Sequence, residues 1–278
     1  MVKIAVWSDL HLEFQNTAPE FKNPGADVLI LSGDVCVAEH LRRNPSAKKG
    51  DTFQKGSYGP NAVLFREFFK HVSNQFAHVV YVMGNHEHYY GRWDRTESIL
   101  RNELAQYNNI SLLEQQKLVI DNVVFLGTSL WTDLYNGNPL AIMQVKGSMN
   151  DYKHITEQRN GVYHKLSPLS TMYKHNESIQ WLKTELAADN RTTVVVGHHA
   201  PSWRSIHESY ANQQMTNSAY ASSLENMILD YPHIAMWTHG HVHNCFDYMI
   251  GDTRILCNPH GYPGQNSEFD PTCMVELT

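Results

Sequence analysis

The sequence has few cysteines, and their spacing excludes the folds that depend on them. Cys36, Cys245, Cys257 and Cys273 are the four, and no two of them form a Cys-x-x-Cys pair. Such spacing is typical neither of a zinc ribbon nor of a small disulfide-rich fold. We therefore expect free thiols in a reducing compartment.

Blocks of basic residues and long hydrophobic runs are also missing. The net charge is −6, from 22 Lys and Arg against 28 Asp and Glu. Because duplex nucleic acid demands many phosphate contacts, we do not expect it as the main partner. The apolar run at residues 4–7 is too short for a signal peptide, and no later run reaches membrane-spanning length. These absences predict a cytoplasmic protein that does not associate with membranes, and they do not indicate an oligomeric state.

What is present is enough apolar sequence for a single α/β domain over residues 1–278, although two smaller domains would also suit this length. Residues 35–60 are polar and predict a loop or lid, and residues 131–169 predict irregular structure with one short helix. Periodicity predicts helices at 61–76, 98–107, 176–187 and 218–231, and strands at 2–8, 27–32, 79–83, 118–120, 123–126, 193–196, 234–237, 246–250, 254–257 and 273–276.

Five of these predicted strands end in residues that bind metals. The last and most conspicuous is Gly240-His241-Val242-His243, a His-x-His pair directly after an apolar strand. An i, i+2 pair at a strand end directs both imidazoles the same way. Since strand ends gather at one edge of an α/β sheet, the five sets are expected to converge. They are Asp9/His11, Asp34, Asn85/His86, His198/His199 and His241/His243.

The residue types in this set favour particular metals. Carboxylates, an amide oxygen and several imidazoles form a mixed nitrogen and oxygen set, which suits Mn, Fe or Zn better than Ca or Mg. The positive charge of two such ions would exceed the negative charge of Asp9 and Asp34. That surplus is suited to a phosphoryl group, so we expect a small phosphorylated substrate.

The ordered motifs resemble those of the calcineurin-like metallophosphoesterases. Asp-x-His, Gly-Asp, Gly-Asn-His-Glu, Gly-His-His and Gly-His-x-His occur in that order between Asp9 and His243. The resemblance implies a four-layer αββα sandwich with a dinuclear metal site at the C-terminal ends of the strands. It also implies hydrolysis of a phosphomonoester or phosphodiester by a metal-bridging hydroxide.

Carried over motif by motif, the resemblance implies two divalent or trivalent ions that share one carboxylate. Asp9, His11 and His243 would hold one ion, Asn85, His198 and His241 the other, and Asp34 would bridge them. His198 directly follows its strand and Gly197, so it is the favoured ligand. His199 is the alternate ligand, and otherwise it would support a ligand from behind or contact the substrate.

Two further predictions concern catalysis and substrate. His86 resembles the family's histidine that faces the leaving group, oriented by the acidic residue after it, here Glu87. It can give a proton to the departing oxygen. His260 could reach the substrate, and the basic residues Arg42, Arg43, Lys48 and Lys49 could either close over a phosphate or form a solvated loop.

Two other functions stay open at this point. One is a nuclease of the same fold, against which the missing basic surface argues. The other is a non-catalytic metal-binding interaction module. Intact ligand types together with His86 argue against that second reading.

Overall fold

The computed structural model describes residues 1–43 and 58–277. Within these residues the strands form two mixed sheets and one separate hairpin. In chain order the strands are Val2–Trp7 (β1), Val28–Ser32 (β2), His78–Val82 (β3), Ile110–Leu112 (β4), Gln116–Ile120 (β5), Val123–Gly127 (β6), Thr156–Arg159 (β7), Val162–Lys165 (β8), Thr193–Val196 (β9), Ile234–His239 (β10), Phe246–Ile250 (β11), Thr253–Cys257 (β12) and Met274–Leu277 (β13).

The first sheet has the order β13-β1-β2-β3-β4 and the second has the order β11-β12-β10-β9-β6-β5. Strands β1 to β4 are parallel, as are β6, β9, β10 and β12, while β13, β11 and β5 pair antiparallel at the edges. The hydroxyls of Ser32 and Thr238 join the two sheets, with their oxygens 2.9 Å apart. The carboxyl ends of the parallel strands of both sheets therefore lie at one edge of the molecule.

Helices cover the outer faces of the two sheets. The α-helices of the described residues are Ala38–Leu41 (α1), Ala62–Gln75 (α2), Trp93–Leu104 (α3), Leu134–Gly137 (α4), Pro139–Ser148 (α5), Asp151–His154 (α6), Pro168–Ala188 (α7), Gln214–Asn217 (α8) and Glu225–Asp230 (α9).

Three apolar clusters separate the layers, because alternate residues of each strand face opposite sides of a sheet. In β1, Ile4 and Val6 face a cluster shared with β9, β10 and β12 between the sheets. Ala5 and Trp7 face the helices that contain Phe65 and Leu100. A third cluster joins the second sheet to α7 and α9. The four-layer αββα sandwich is confirmed.

Most predicted elements are found, and several segments differ from the prediction. Residues 131–169 are more regular than expected: they contain three short helices and the hairpin β7-β8, and α7 begins at Pro168 rather than at residue 176. Helices of about three turns or fewer carry little periodicity by which to be recognised.

Only the two ends of the predicted loop or lid at 35–60 lie within the described residues. Its start is buried and helical in α1, and Lys48 and Lys49 lie outside the described residues. Near 218–231 the described helix is shorter, as α9 covers only six residues. Among the described residues no helix is both long and apolar enough to cross a membrane.

Candidate metal centre

All seven predicted metal ligands lie together at the edge where the parallel strands of both sheets end. Their ligand atoms form three overlapping groups, in each of which the atoms lie within 4.8 Å of one another. The groups are Asp9/His11/His243, His11/Asp34/His86 and Asp34/His198/His241. Asn85 joins the last group, because its Oδ1 lies 3.1 Å from Nε2 of His198.

Five of the seven predicted ligands have left-handed backbone conformations. The φ angles are 52° at Asp9, 44° at His11, 54° at Asp34, 68° at His241 and 54° at His243. Such conformations cost of order 1 kcal/mol each or more for residues with a side chain, and they cluster at functional sites. Here they turn the chain sharply after each strand, so that successive side chains point into the same space.

Two glycines allow the carboxylates to approach the neighbouring backbone. A Cβ at Gly84 would collide with Oδ1 of Asp34, and a Cβ at Gly240 would collide with Oδ2 of Asp9. Backbone donors then hold the carboxylates in place: His86 N–H donates to Asp34 over 2.8 Å, and His241 N–H donates to Asp9 over 2.9 Å. The Gly residues of the motifs therefore serve the site directly.

The Nδ1 atoms of three predicted ligand histidines are held by acceptors outside the centre. His11 donates to Glu13 over 3.2 Å, His198 to the Ser32 carbonyl over 2.8 Å, and His243 to the side-chain oxygen of Gln265 over 2.7 Å. Because Nδ1 carries the proton in each case, a neutral ring presents the lone pair of Nε2 to the centre. Outer partners of this kind orient metal-binding histidines in proteins.

The Nε2 atoms that carry these lone pairs lie close to other acceptor atoms. Nε2 of His11 lies 3.0 Å from Nε2 of His243, and Nε2 of His198 lies 3.1 Å from the acceptor Oδ1 of Asn85. Nε2 of His241 is buried and has no hydrogen-bond partner among the described residues. Acceptors packed against acceptors must share a cation or a proton, and a buried set of imidazole, carboxylate and amide donors fits a metal ion.

The electrostatics of the site lead to the same conclusion. Burial lowers the pKa of His11 to about 4 and that of His198 to about 4, so both rings are neutral at pH 7 and ready to bind an ion. Burial, together with Glu87 and Asp9, raises the pKa of Asp34 well above its ordinary value. Burial alone would lower the pKa of His243, but Asp9 outweighs it and raises that pKa.

His198 and His199 diverge although they are adjacent. His198 points to the centre. His199 is also buried, but its Nδ1 donates to the Ser129 carbonyl over 3.1 Å, and its ring packs 4.9 Å from Trp131 and 4.3 Å from His241. This geometry favours His198 as the ligand and gives His199 a supporting position behind His241. His199 does not line the adjoining cavity, so a direct contact with substrate is not favoured.

The predicted partner of His86 is wrong. Glu87 is fully buried and accepts hydrogen bonds from the backbone of Asp34, Val35 and Gly84 and from the Tyr81 hydroxyl. Among the described residues no hydrogen bond joins Glu87 to the His86 ring. Glu87 instead fixes the loop that carries Asp34.

Glu13 takes the place predicted for Glu87. Its Oε1 accepts from Nδ1 of His86 over 2.7 Å as well as from His11. Burial alone would raise the pKa of Glu13, but its hydrogen bonds to His11 and His86 lower that pKa to about 2. Glu13 follows Asp9-Leu10-His11 closely in sequence, and that closeness to the motif was the available signal.

His260 does not reach the centre, contrary to expectation. Its ring packs 5.2 Å from Phe269 and 6.3 Å from Phe21, and it does not line the cavity. Tyr262, two residues later, lies there instead, with its hydroxyl 3.3 Å from Nε2 of His86 and its ring 4.5 Å from that of His11.

A cavity of about 280 Å³ opens from the centre. Asp34, Asn85, His86, His241 and His243 lie at its inner end. Its remaining wall is formed mainly by aromatic, amide and hydroxyl side chains, and among the described residues no Lys or Arg lines it.

The calcineurin-like phosphoesterase family, Metallophos, matches residues 2–245 of the sequence. The chain belongs to this family. It is 26% identical over 294 residues to uncharacterized protein L509 of Acanthamoeba polyphaga mimivirus, covering 97% of this chain and 95% of that protein. The phosphopantetheinyl hydrolase PptH of Mycobacterium tuberculosis has a similar fold, with a TM-score of 0.64 at 14% identity, over 95% of this chain and 90% of that chain. This member of the phosphoesterase family therefore has a buried His/Asp centre suited to metal.

Proposed function

We propose that the protein is a dinuclear-metal enzyme that hydrolyses a small phosphomonoester or phosphodiester. The observation that carries the proposal is the close approach of acceptor atoms beside the cavity: Nε2 of His11 lies 3.0 Å from Nε2 of His243, and Nε2 of His198 lies 3.1 Å from Oδ1 of Asn85. A protein site of this kind is stable only with cations between the acceptors, or with protons in their place.

The residues divide between two ions around a shared carboxylate. Asp9, His11 and His243 would hold one ion, Asn85, His198 and His241 the other, and Asp34, which belongs to two of the three groups, would bridge them. The mixed donors favour Mn, Fe or Zn. When bound, the ions would supply Lewis acidity and an activated water molecule.

His86 would deliver the proton to the leaving group. Its Nδ1 is held by Glu13, so Nε2 faces the cavity beside the Tyr262 hydroxyl. The Glu13 carboxylate stabilises the positive charge of a protonated ring. The proton on Nε2 can then pass to the departing oxygen, and Tyr262 can contact the same oxygen or hold the ring in place.

The side chains of the cavity wall favour a substrate whose organic part is uncharged. Asn150, Gln213 and Asn244 offer amide groups, and Tyr210 and Tyr220 offer rings and hydroxyls. Without Lys or Arg among the described lining residues, further phosphates or a nucleic-acid backbone would find no cationic partner there. The volume of about 280 Å³ suits a small ligand.

Metal content and turnover together test the proposal. Protein purified without chelator should contain two ions or take up two on addition of Mn²⁺, and should then hydrolyse nitrophenyl phosphate or its diester. Asp34→Asn should weaken both ions together, because it removes the shared charge. Metal uptake without turnover of any ester would favour an interaction module, and salt-dependent DNA binding with DNA cleavage would favour a nuclease.

The natural substrate requires a panel of esters. It should pair mono- and diesters that have the same organic group, and compare uncharged with anionic organic groups. A phosphopantetheinyl compound belongs in the panel because the structurally similar PptH is named for that group, although the similarity concerns the fold alone.

A further inference from the structure

Asp151 is a buried carboxylate beside the metal centre for which the reaction proposed above has no use. It opens α6 directly after Asn150, which lines the cavity. Its side chain is 2% exposed, and both carboxylate oxygens are shielded from solvent without a hydrogen-bond partner among the described residues. Since buried polar groups are normally paired, an unpaired carboxylate at this place calls for an explanation.

The surroundings of Asp151 are the side chains at the inner end of the cavity. Burial raises the pKa of its carboxyl, while its own backbone N–H, His86 and Asn85 act in the opposite direction. Burial and then Asp151 raise the pKa of Tyr89. Helix α6 also packs against the segment that follows Asn85: Tyr90 N–H donates to the His154 carbonyl over 3.1 Å, and the rings of Tyr89 and His154 lie 5.7 Å apart. Asp151 therefore lies near Asn85, His86 and Tyr89.

The side-chain amide of Asn85 has two possible orientations, and a neighbouring carboxylate would favour one of them. Its amide can bind an ion only through Oδ1, and rotation by half a turn would direct the NH₂ group at the ion instead. In the structure Oδ1 faces His198, and Nδ2 donates to the Tyr89 hydroxyl over 3.3 Å. The NH₂ group carries a second hydrogen, and the carboxyl group of Asp151 is a neighbouring acceptor without another partner among the described residues.

We infer that Asp151 is a positioning residue that holds the Asn85 amide with Oδ1 towards the second metal ion. This inference rests on the metal centre proposed above. An ion bound to Oδ1 makes the NH₂ hydrogens more positive and strengthens their attraction to Asp151. Removal of such outer partners typically weakens metal binding by about 10–100-fold.

The first test is the metal affinity of Asp151→Asn, which keeps the shape but removes the charge. Calorimetric titration of chelator-stripped protein with Mn²⁺ should show one of two sites weakened by about 10–100-fold and the other unchanged. The metal-free variant should unfold at the same temperature or higher, because an unpaired buried charge is gone. Glu157→Gln is the matched control, since Glu157 is also buried but pairs with Arg159 over 3.2 Å. It should bind Mn²⁺ normally.

The second test repeats the substitution in an Asn85→Asp background. A carboxylate at position 85 needs no orientation and repels Asp151, so Asp151→Asn should there leave Mn²⁺ affinity unchanged or increase it. Equal losses in both backgrounds, or no loss in the single variant, would overturn the inference while the metal centre stands. Failure of the wild-type protein to bind Mn²⁺ would overturn the metal centre, and the inference with it.

Discussion

Oε1 of Glu13 lies 2.7 Å from Nδ1 of His86 and 3.2 Å from Nδ1 of His11, so one buried carboxylate orients both the proposed proton donor and a proposed metal ligand. The two rings approach to 4.4 Å between centroids at a steep angle. The same carboxylate therefore fixes the positions of both rings. Changes at Glu13 should therefore have two separable effects.

Glu13→Gln removes the negative charge but keeps a hydrogen-bonding group of similar shape. We expect kcat for alkyl phosphate esters to fall by about tenfold or more, because a protonated His86 loses its counter-charge. Metal affinity should fall by up to about 10–100-fold through His11. Steady-state kinetics at saturating metal separates the two effects. Glu20→Gln, an exposed change in the same segment, is the control, and a Glu13 variant with full activity would remove Glu13 from the mechanism.

His86→Ala tests the proton donor itself. For esters with poor leaving groups, kcat should fall by about 10²–10⁴-fold, the usual contribution of general acid catalysis. For a nitrophenyl ester the loss should be smaller, because nitrophenolate departs without a proton. The ratio of the two losses is the measurement. Equal losses for both esters would mean that His86 acts only electrostatically. A fall in metal content would mean that His86 is a metal ligand, as its position in the group His11/Asp34/His86 allows.

Alanine substitutions also distinguish the roles of the adjacent residues His198 and His199. His198→Ala should lower occupancy of the second ion, because its Nε2 faces Asn85 and lies 3.5 Å from Asp34. His199→Ala should leave occupancy near normal but destabilise the protein by about 2–4 kcal/mol, because it empties a packed space between Trp131 and His241. Metal analysis and chemical denaturation measure the two outcomes. The reverse pattern of metal loss would exchange their roles.

Much of the centre was predictable because the ligands follow strands in short motifs. Asp9, Asp34 and His241 each follow a buried strand that the sequence reveals, Asp34 and His241 directly after a glycine, and the order of the motifs indicated the family. What fills the space between motifs was not predictable. The segment with Asp151 folds into short helices and a hairpin that lack a readable period, and its place beside Asn85 is a tertiary contact.

The residue that orients His86 was mispredicted for a similar reason: it is Glu13 and not Glu87. Both acids lie in or close to a motif, and the family resemblance implied Glu87, directly after His86, as its partner. In the structure Glu87 points back into the protein, where it accepts from the backbone of Asp34, Val35 and Gly84. The short 3-10 turn at residues 86–88 directs successive side chains to different sides. A sequence motif does not specify the directions in which two consecutive side chains point.

His88, on that same turn, should make the metal-free protein sensitive to acid. It is 2% exposed, both ring nitrogens lack hydrogen-bond partners among the described residues, and its ring packs against Trp93 and Trp131. Burial, with Lys174 and His198 nearby, lowers its pKa from 6.5 to about 3. Below pH 6.5 the unfolded chain therefore binds a proton at this residue that the folded chain does not. The stability that neutral His88 contributes is present above pH 6.5 and is lost as the pH falls towards 3.

His88→Phe keeps a ring in this space and removes the titration. Between pH 6 and 4 the free energy of unfolding of the wild-type protein should fall more steeply than that of the variant, by about 1.4 kcal/mol per pH unit, the value for one proton. Urea denaturation with a chelator present, at several pH values, measures both slopes. His78→Phe, at an exposed position at the start of β3, controls for the loss of a histidine as such and should leave the slope nearly unchanged. Parallel curves for the wild-type protein and His88→Phe would show that His88 takes up its proton in the folded protein as readily as in the unfolded chain.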